Sequence, residues 1–167
     1  METIANLRNM EAAKKVKQLV SAIKTCIMCT HSFNISESRP MTTQKVDNEG
    51  NIWFLSNKNS GKNKAIAANS SVDLFFGDRK TKFLTLHGNA TILYDKEKIK
   101  ELWQPIQKVW FKKGINDPSI SVIKVTFTSG HYWDNKHRKI VELFKKAKRF
   151  LSGRNKMDTG ISGNLTK

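Results

Sequence analysis

Arg39-Pro40-Met41-Thr42 and, eleven residues after Thr42, Trp53-Phe54-Leu55-Ser56, leading into Asn59-Ser60-Gly61-Lys62, decide how this chain reads. Two short extended segments run into a small-residue loop that carries a hydroxyl and a lysine. Asp47, Asn48, Glu49 and Gly50 form a polar turn between the segments, so strands over residues 39–46 and 52–56 are expected to pair as a hairpin. Ser60 suits the N-cap of a short helix over about residues 61–68. A helix N-terminus presents unpaired backbone amides. Ser60 adds a hydroxyl, Gly61 allows close backbone approach and Lys62 adds an ammonium, while Arg39 supplies a forked two-bond contact. The pattern points to a site for the phosphate end of a ligand. The competing reading is a surface turn with two solvated cations, and the hairpin that joins the cations favours the site.

Working outward, residues 5–24 read as a helix, with Leu7, Ala13, Val16, Val20 and Ile23 on or near one face. Residues 26–31 read as a strand. Strands are also expected over 72–77 and 83–94, the second with Leu84, Leu86, Ala90 and Ile92 alternating against Thr85, His87, Asn89 and Thr91. Asp95 caps a helix whose apolar positions are Ile99, Leu102, Trp103, Ile106 and Trp110, with a break at Pro105. A last long strand over 120–128 leads to His131, Tyr132, Trp133 and Asp134. Pro40 removes a backbone donor, so its strand is expected at an edge or a bulge. Five or six strands without regular strand and helix alternation argue for a mainly β fold, an antiparallel barrel with peripheral helices. One domain is expected over residues 1–157, with a flexible tail over 158–167 rich in Gly160, Ser162, Gly163 and Asn164.

The chain has 167 residues, 38% of them hydrophobic, enough for one domain to bury roughly 70% of its unfolded surface. No apolar run approaches the roughly 18 residues of a membrane span, and Met1 to Met10 has no signal-peptide core. A soluble cytoplasmic protein is expected. There are 30 Lys and Arg against 14 Asp and Glu, a net charge of +16. Residues 136–167 hold ten Lys or Arg and two Asp or Glu, half of that excess. Such a segment can bind nucleic acid or an anionic surface. Ile140, Leu143, Phe144, Ala147, Phe150 and Leu151 recur at helical spacing, however, so the favoured reading is an amphipathic helix with a solvated basic face.

Cys26 and Cys29 have CxxC spacing, but His31 lies one position too late for haem attachment and no second cysteine pair completes a zinc site. Three apart on a strand, they point to opposite faces. They read as two buried structural thiols. His87 and His131 read as strand histidines bonded within the fold rather than as proton carriers, since no carboxylate is paired with them in sequence.

SRPMT (38–42), IWFLS (52–56), NSGK (59–62), ELWQP (101–105), WFKKG (110–114), Asp117-Pro118 and HYWD (131–134) together resemble the general stress protein branch of the pyridoxamine 5'-phosphate oxidase-like, FMN-binding split-barrel family, in the same order throughout. The resemblance implies a six-stranded antiparallel split β-barrel with flanking helices that forms a homodimer, with FMN bound at the subunit interface. It implies that Arg39, Pro40, Met41 and Thr42 run along the flavin, that Leu55 and Ser56 contact it, and that Ser60 and Lys62 hold its phosphate. Trp133 falls where an aromatic of the partner subunit closes the site. Trp110 is assigned to the pocket as well, and Trp103 to the core. Gln44 stands where true pyridoxamine phosphate oxidases carry a lysine, Gly61 where they carry an arginine beside Lys62, and their C-terminal arginine segment is replaced by the basic stretch. Vitamin B6 oxidation is therefore not expected. The expected function is that of a flavin-dependent oxidoreductase with NADH or NADPH as donor. The alternatives are a non-catalytic flavin carrier or sensor, and a nucleic-acid-binding module using the basic helix.

Overall fold

The computed structural model describes residues 3–32, 35–78, 81–134 and 161–167. The basic helix expected from Lys136 lies outside the described residues. In chain order the elements are β1 (Thr3–Ile4), β2 (Leu7–Arg8), α1 (Asn9–Ile23), β3 (Thr25–Ser32), β4 (Ile35–Thr42), β5 (Lys45–Val46), β6 (Ile52–Asn57), α2 (Gly61–Ala68), β7 (Ser71–Gly77), β8 (Lys82–Leu93), α3 (Lys96–Leu102), β9 (Ile120–Asp134) and β10 (Ile161–Thr166). Two short 3-10 turns, Pro105–Val109 and Gly114–Asn116, link α3 to β9.

Six long strands form one antiparallel ladder in the order β4-β3-β7-β8-β9-β6. Among the described residues no ladder joins β4 back to β6, so the sheet curls without closing. This is the split barrel. The alternation expected in β8 is observed: Leu84, Leu86 and Ala90 are buried, and Thr85, His87, Asn89 and Thr91 face the other way. Apolar side chains of α1, Val16, Leu19 and Val20 among them, complete the barrel core against Met28, Phe54, Leu74, Leu86, Val125 and Phe127. Every residue from Ile52 to Ser56 is buried, because β6 is covered on both faces. Ile52 and Phe54 enter the main core, while Trp53 and Leu55 pack on a second cluster with Ile99, Leu102, Phe111 and Val122.

Three expectations are corrected. The strand carrying Arg39 does not form a long hairpin with residues 52–56: β4 pairs with β3, Arg39 opposite Met28, and only Lys45 and Val46 ladder onto Trp53 and Ile52. The chain changes partner at Thr43, whose amide donates to Lys24 O (2.8 Å) while the next amide, of Gln44, donates to Trp53 O (2.8 Å). The polar turn itself is as expected. Asp47 Oδ1 accepts from the Glu49 and Asn51 amides (3.0 and 2.9 Å), and Gly50 takes φ +79° where a Cβ would press on Phe127 at 2.8 Å.

The second correction concerns the chain ends. Residues 161–166 are not a tail but strand β10, antiparallel to β9 and flanked by β1 and β2 in parallel. Residues 5–8 consequently belong to this sheet edge, and α1 begins at Asn9. The small residues that read as tail composition serve close packing, since a Cβ on Gly163 would lie 1.9 Å from the Ala5 carbonyl oxygen. Third, α3 stops at Leu102, ahead of Pro105, so Ile106 and Trp110 leave the apolar stripe and are 59% and 63% exposed. Trp103 stays against the second cluster, its ring centroid 6.3 Å from that of Phe111. The strand expected to end at 128 continues through HYWD to Asp134.

Candidate functional site

A cleft of about 670 Å³ opens where the barrel is split, between edge strand β4 with its corner at residues 43–46 and the end of β6. That volume lies within the roughly 300–1,000 Å³ of small-molecule sites. Pro40 sits on β4 at the sheet edge, as expected, and among the described residues the outer side of that strand has no ladder partner. Arg39, Pro40, Met41, Thr42, Leu55, Ser56, Lys62 and Trp110 all line the cleft. Ser60 and Trp133 do not.

Ser60 is spent on starting α2. Its hydroxyl accepts from the Asn63 amide (3.4 Å) and lies 3.2 Å from Asn63 Oδ1. The buried Asn63 side chain then ties three elements together. Its Oδ1 accepts from Ser56 Oγ (2.7 Å) and its Nδ2 donates to Ser121 Oγ (2.8 Å), which donates to Ser56 O (3.1 Å). Helix α2 is thereby fixed against β6 and β9 with Lys62 turned to the cleft. Gly61 keeps the approach to the helix open, since an added Cβ would meet only Glu37 Oε2, at 3.9 Å. Trp133 lies near the other end of β9 from Ser121, opposite Phe83 and Ser162, its ring 4.3 Å from that of His131.

The electrostatics of the cleft are one-sided. Lys24, Arg39, Lys45 and Lys62 line it, and among the described residues no carboxylate does. The Arg39 guanidinium is anchored by Thr30 Oγ1 (2.8 Å) and by Glu37 Oε2 (2.8 Å), and Lys45 pairs outward with Glu101. Lys62 pairs with no carboxylate among the described residues. Burial, and secondarily the nearby Arg39 charge, push its ammonium below the usual lysine range. A charged Lys62 therefore costs stability at neutral pH in the free protein, a cost that shrinks as pH rises through its folded value and that a bound anion offsets. The Glu37 carboxylate, between Arg39 and the start of α2, occupies one approach an external anion would use.

Several cleft residues escaped the sequence reading. Gln107 Nε2 donates to Gln44 Oε1 (2.7 Å), linking the 3-10 turn after α3 to the β4–β5 corner. Thr43 Oγ1 is buried without a hydrogen-bond partner among the described residues. Lys24 enters through the end of α1, where it adopts φ +66°. None of these carries a motif. Thr43 reaches the cleft through the partner switch, Gln107 through the 3-10 turn and Lys24 through the end of α1.

The fold is a split barrel whose opening is a cleft lined by four cationic side chains. The chain belongs to the pyridoxamine 5'-phosphate oxidase-like family, whose sequence model matches residues 11–158. It is similar to Protein bli-3 of Neurospora crassa, 26% identical over 105 residues covering 57% of this chain and 50% of that one, so the chain spans about half the length of this curated relative. Among solved structures it resembles a putative general stress protein 26 from Jannaschia sp. CCS1 (TM-score 0.73, 22% identity, 93% of this chain and 95% of that one). It also resembles the general stress FMN/FAD binding protein of Xanthomonas citri (TM-score 0.64, 21% identity, 74% and 88%). At these identities the structural likeness establishes the fold. Among the described residues no helix is long and apolar enough to cross a membrane.

Proposed function

We propose that the cleft binds FMN, with Arg39 and Lys62 at the phosphate and the β4 segment, Leu55 and Trp110 against the ring, and that the protein acts as a flavin-dependent oxidoreductase. The observation that carries the reading is the cleft's set of four cations without a carboxylate, one of them the half-buried Lys62. The family match and the flavin-binding structural relative support it. So do Thr43 Oγ1 and the edge position of β4, whose outer side joins no further strand among the described residues.

When bound, a flavin supplies hydride and electron transfer. The chain's own residues have simpler tasks. Arg39 and Lys62 neutralise an anionic tail, Asn63 holds the start of α2 at the right distance, and the Gln44–Gln107 bridge keeps the opposite wall in place. Gln44, engaged with Gln107, does not supply the cation used on a B6 phosphate substrate, so vitamin B6 oxidation is not part of the proposal.

The proposal includes a homodimer with FMN at the subunit interface, Trp133 of the partner subunit closing the site, NADH or NADPH as donor and a cytoplasmic setting. Its support is the apolar mouth of the cleft: Ile106, Val109 and Trp110 are 59%, 67% and 63% exposed, a surface suited to a covering partner. A flavin carrier or sensor is the second reading, favoured by a cleft whose lining, among the described residues, holds no histidine, cysteine or carboxylate. Nucleic-acid binding rests on the basic stretch outside the described residues. FMN titration followed by flavin fluorescence, then anaerobic mixing with NADH or NADPH, separates the two flavin readings. Saturable uptake with reduction supports the oxidoreductase, uptake without reduction the carrier, and a folded protein that takes up no FMN overturns both.

A further inference from the structure

On the outer face of the sheet, a second group of side chains gathers. Cys29 and His31 alternate outward on β3, and the register sets Cys29 opposite Asp73 of β7 and Asp73 opposite His87 of β8. Ligand-capable atoms of Cys29, His31 and Asp73 all lie within 4.8 Å of one another. His31 Nε2 is 2.9 Å from Asp73 Oδ2, and His87 Nδ1 is 2.5 Å from Asp73 Oδ1. None of the four residues lines the cation cleft.

We propose that Cys29, His31 and Asp73, with His87 beside them, form a zinc-binding site. A thiolate, an imidazole and a carboxylate are the donor set that selects Zn²⁺ among common divalent ions, with the fourth tetrahedral position open to water. The outer contacts are those a metal site needs. His31 Nδ1 lies 2.9 Å from Ser36 Oγ, so with its proton on Nδ1 the imidazole donates there and presents the Nε2 lone pair to the ion. His87 holds the far oxygen of Asp73 and fixes the carboxylate plane. The ligands are half-shielded, Asp73 and His31 side chains being 22% and 30% exposed. Cys26 is not a competitor, because it points into the core and burial pushes its thiol up to about 12.

Binding balances simply: the Cys29 thiol gives its proton to solvent, His31 offers an unprotonated Nε2, and thiolate plus carboxylate cancel the charge of the ion. In the metal-free protein the same groups are held by the imidazole contacts to Asp73.

The test uses the full chain, reduced and treated with a chelator, and adds Zn²⁺ by calorimetry and Co²⁺ by absorbance. One ion per chain is expected, with a thiolate-to-cobalt charge-transfer band in the near ultraviolet. Cys29→Ser should abolish the band and His31→Ala should weaken binding by at least about tenfold. His87→Ala should weaken it roughly 10- to 100-fold, as expected of an outer-contact residue. His131→Ala, on β9 and bonded to Asn164, should change nothing. If the folded wild-type protein binds neither ion at micromolar concentration, or if binding survives both Cys29→Ser and His31→Ala unchanged, the site does not exist.

Discussion

Gln107 donates to Gln44 across the split in the barrel at 2.7 Å, and through this bond the irregular segment after α3 becomes a wall of the cleft. Gln107 is buried at 6% exposure although it lies in a short 3-10 turn. Gln107→Ala is expected to leave the fold intact, since the barrel ladder does not use it. FMN affinity should fall by about tenfold, the loss of one hydrogen bond at about 1 kcal/mol plus a less ordered wall. Isothermal titration against the wild type checks this.

Glu37 occupies part of the approach to Arg39 and α2. Removing its charge without changing its shape, by Glu37→Gln, should strengthen binding of FMN or inorganic phosphate by roughly two- to fivefold, because an exposed ion pair is worth about 0.2–1 kcal/mol. The gain should fade at high salt. A weaker affinity in the variant would mean that Glu37 positions Arg39 for the ligand instead of competing with it.

Asn63 is 2% exposed and satisfies both Ser56 and Ser121. Asn63→Ala leaves both hydroxyls short of a partner in the interior, so stability should drop by about 1–3 kcal/mol. Urea denaturation measures it. Ligand affinity should decline too, because α2 loses its fixed distance from β6.

Asp47 gives a pH signature. Burial alone would raise its carboxyl, but hydrogen bonds from Asn51, from Trp53 Nε1 (3.1 Å) and from the Glu49 amide outweigh burial and hold it below its ordinary value. A depressed folded value stabilises the protein above the unfolded carboxylate value of about 4 and is lost as pH falls through the folded one. Asp47→Asn should therefore cost about 1 kcal/mol at neutral pH. The gap between the two proteins should close in thermal scans taken progressively below pH ~4.

How much of this was legible depended on whether the signal was local. Alternation in residues 83–93, the caps at Ser60 and Asp95, and the edge character of Pro40 follow from neighbouring residues, and the structure has them all. Strand pairing is not local. That β4 pairs with β3 rather than β6 goes with the partner switch at Thr43, which brings Thr43 to a cleft it does not announce. Arg39 to Thr42, Leu55, Ser56 and Lys62 line one cleft, while Ser60, outside it, caps α2. The terminal strand was hidden because Gly163 and Ser162 suit a tail as well as a tightly packed edge. Asp73 and His87 reach Cys29 and His31 only through register, which spacing within one strand cannot reveal.

The most direct test compares FMN with riboflavin, which lacks the phosphate, on the wild-type protein and on Arg39→Ala combined with Lys62→Ala. Two charge-assisted contacts at about 1.5–3 kcal/mol each should make the wild type prefer FMN by at least about 100-fold, and that preference should collapse in the double variant while riboflavin affinity stays the same. Equal affinity of the wild type for both flavins, or a double variant that keeps its preference for FMN, would contradict the assignment of Arg39 and Lys62 to the phosphate.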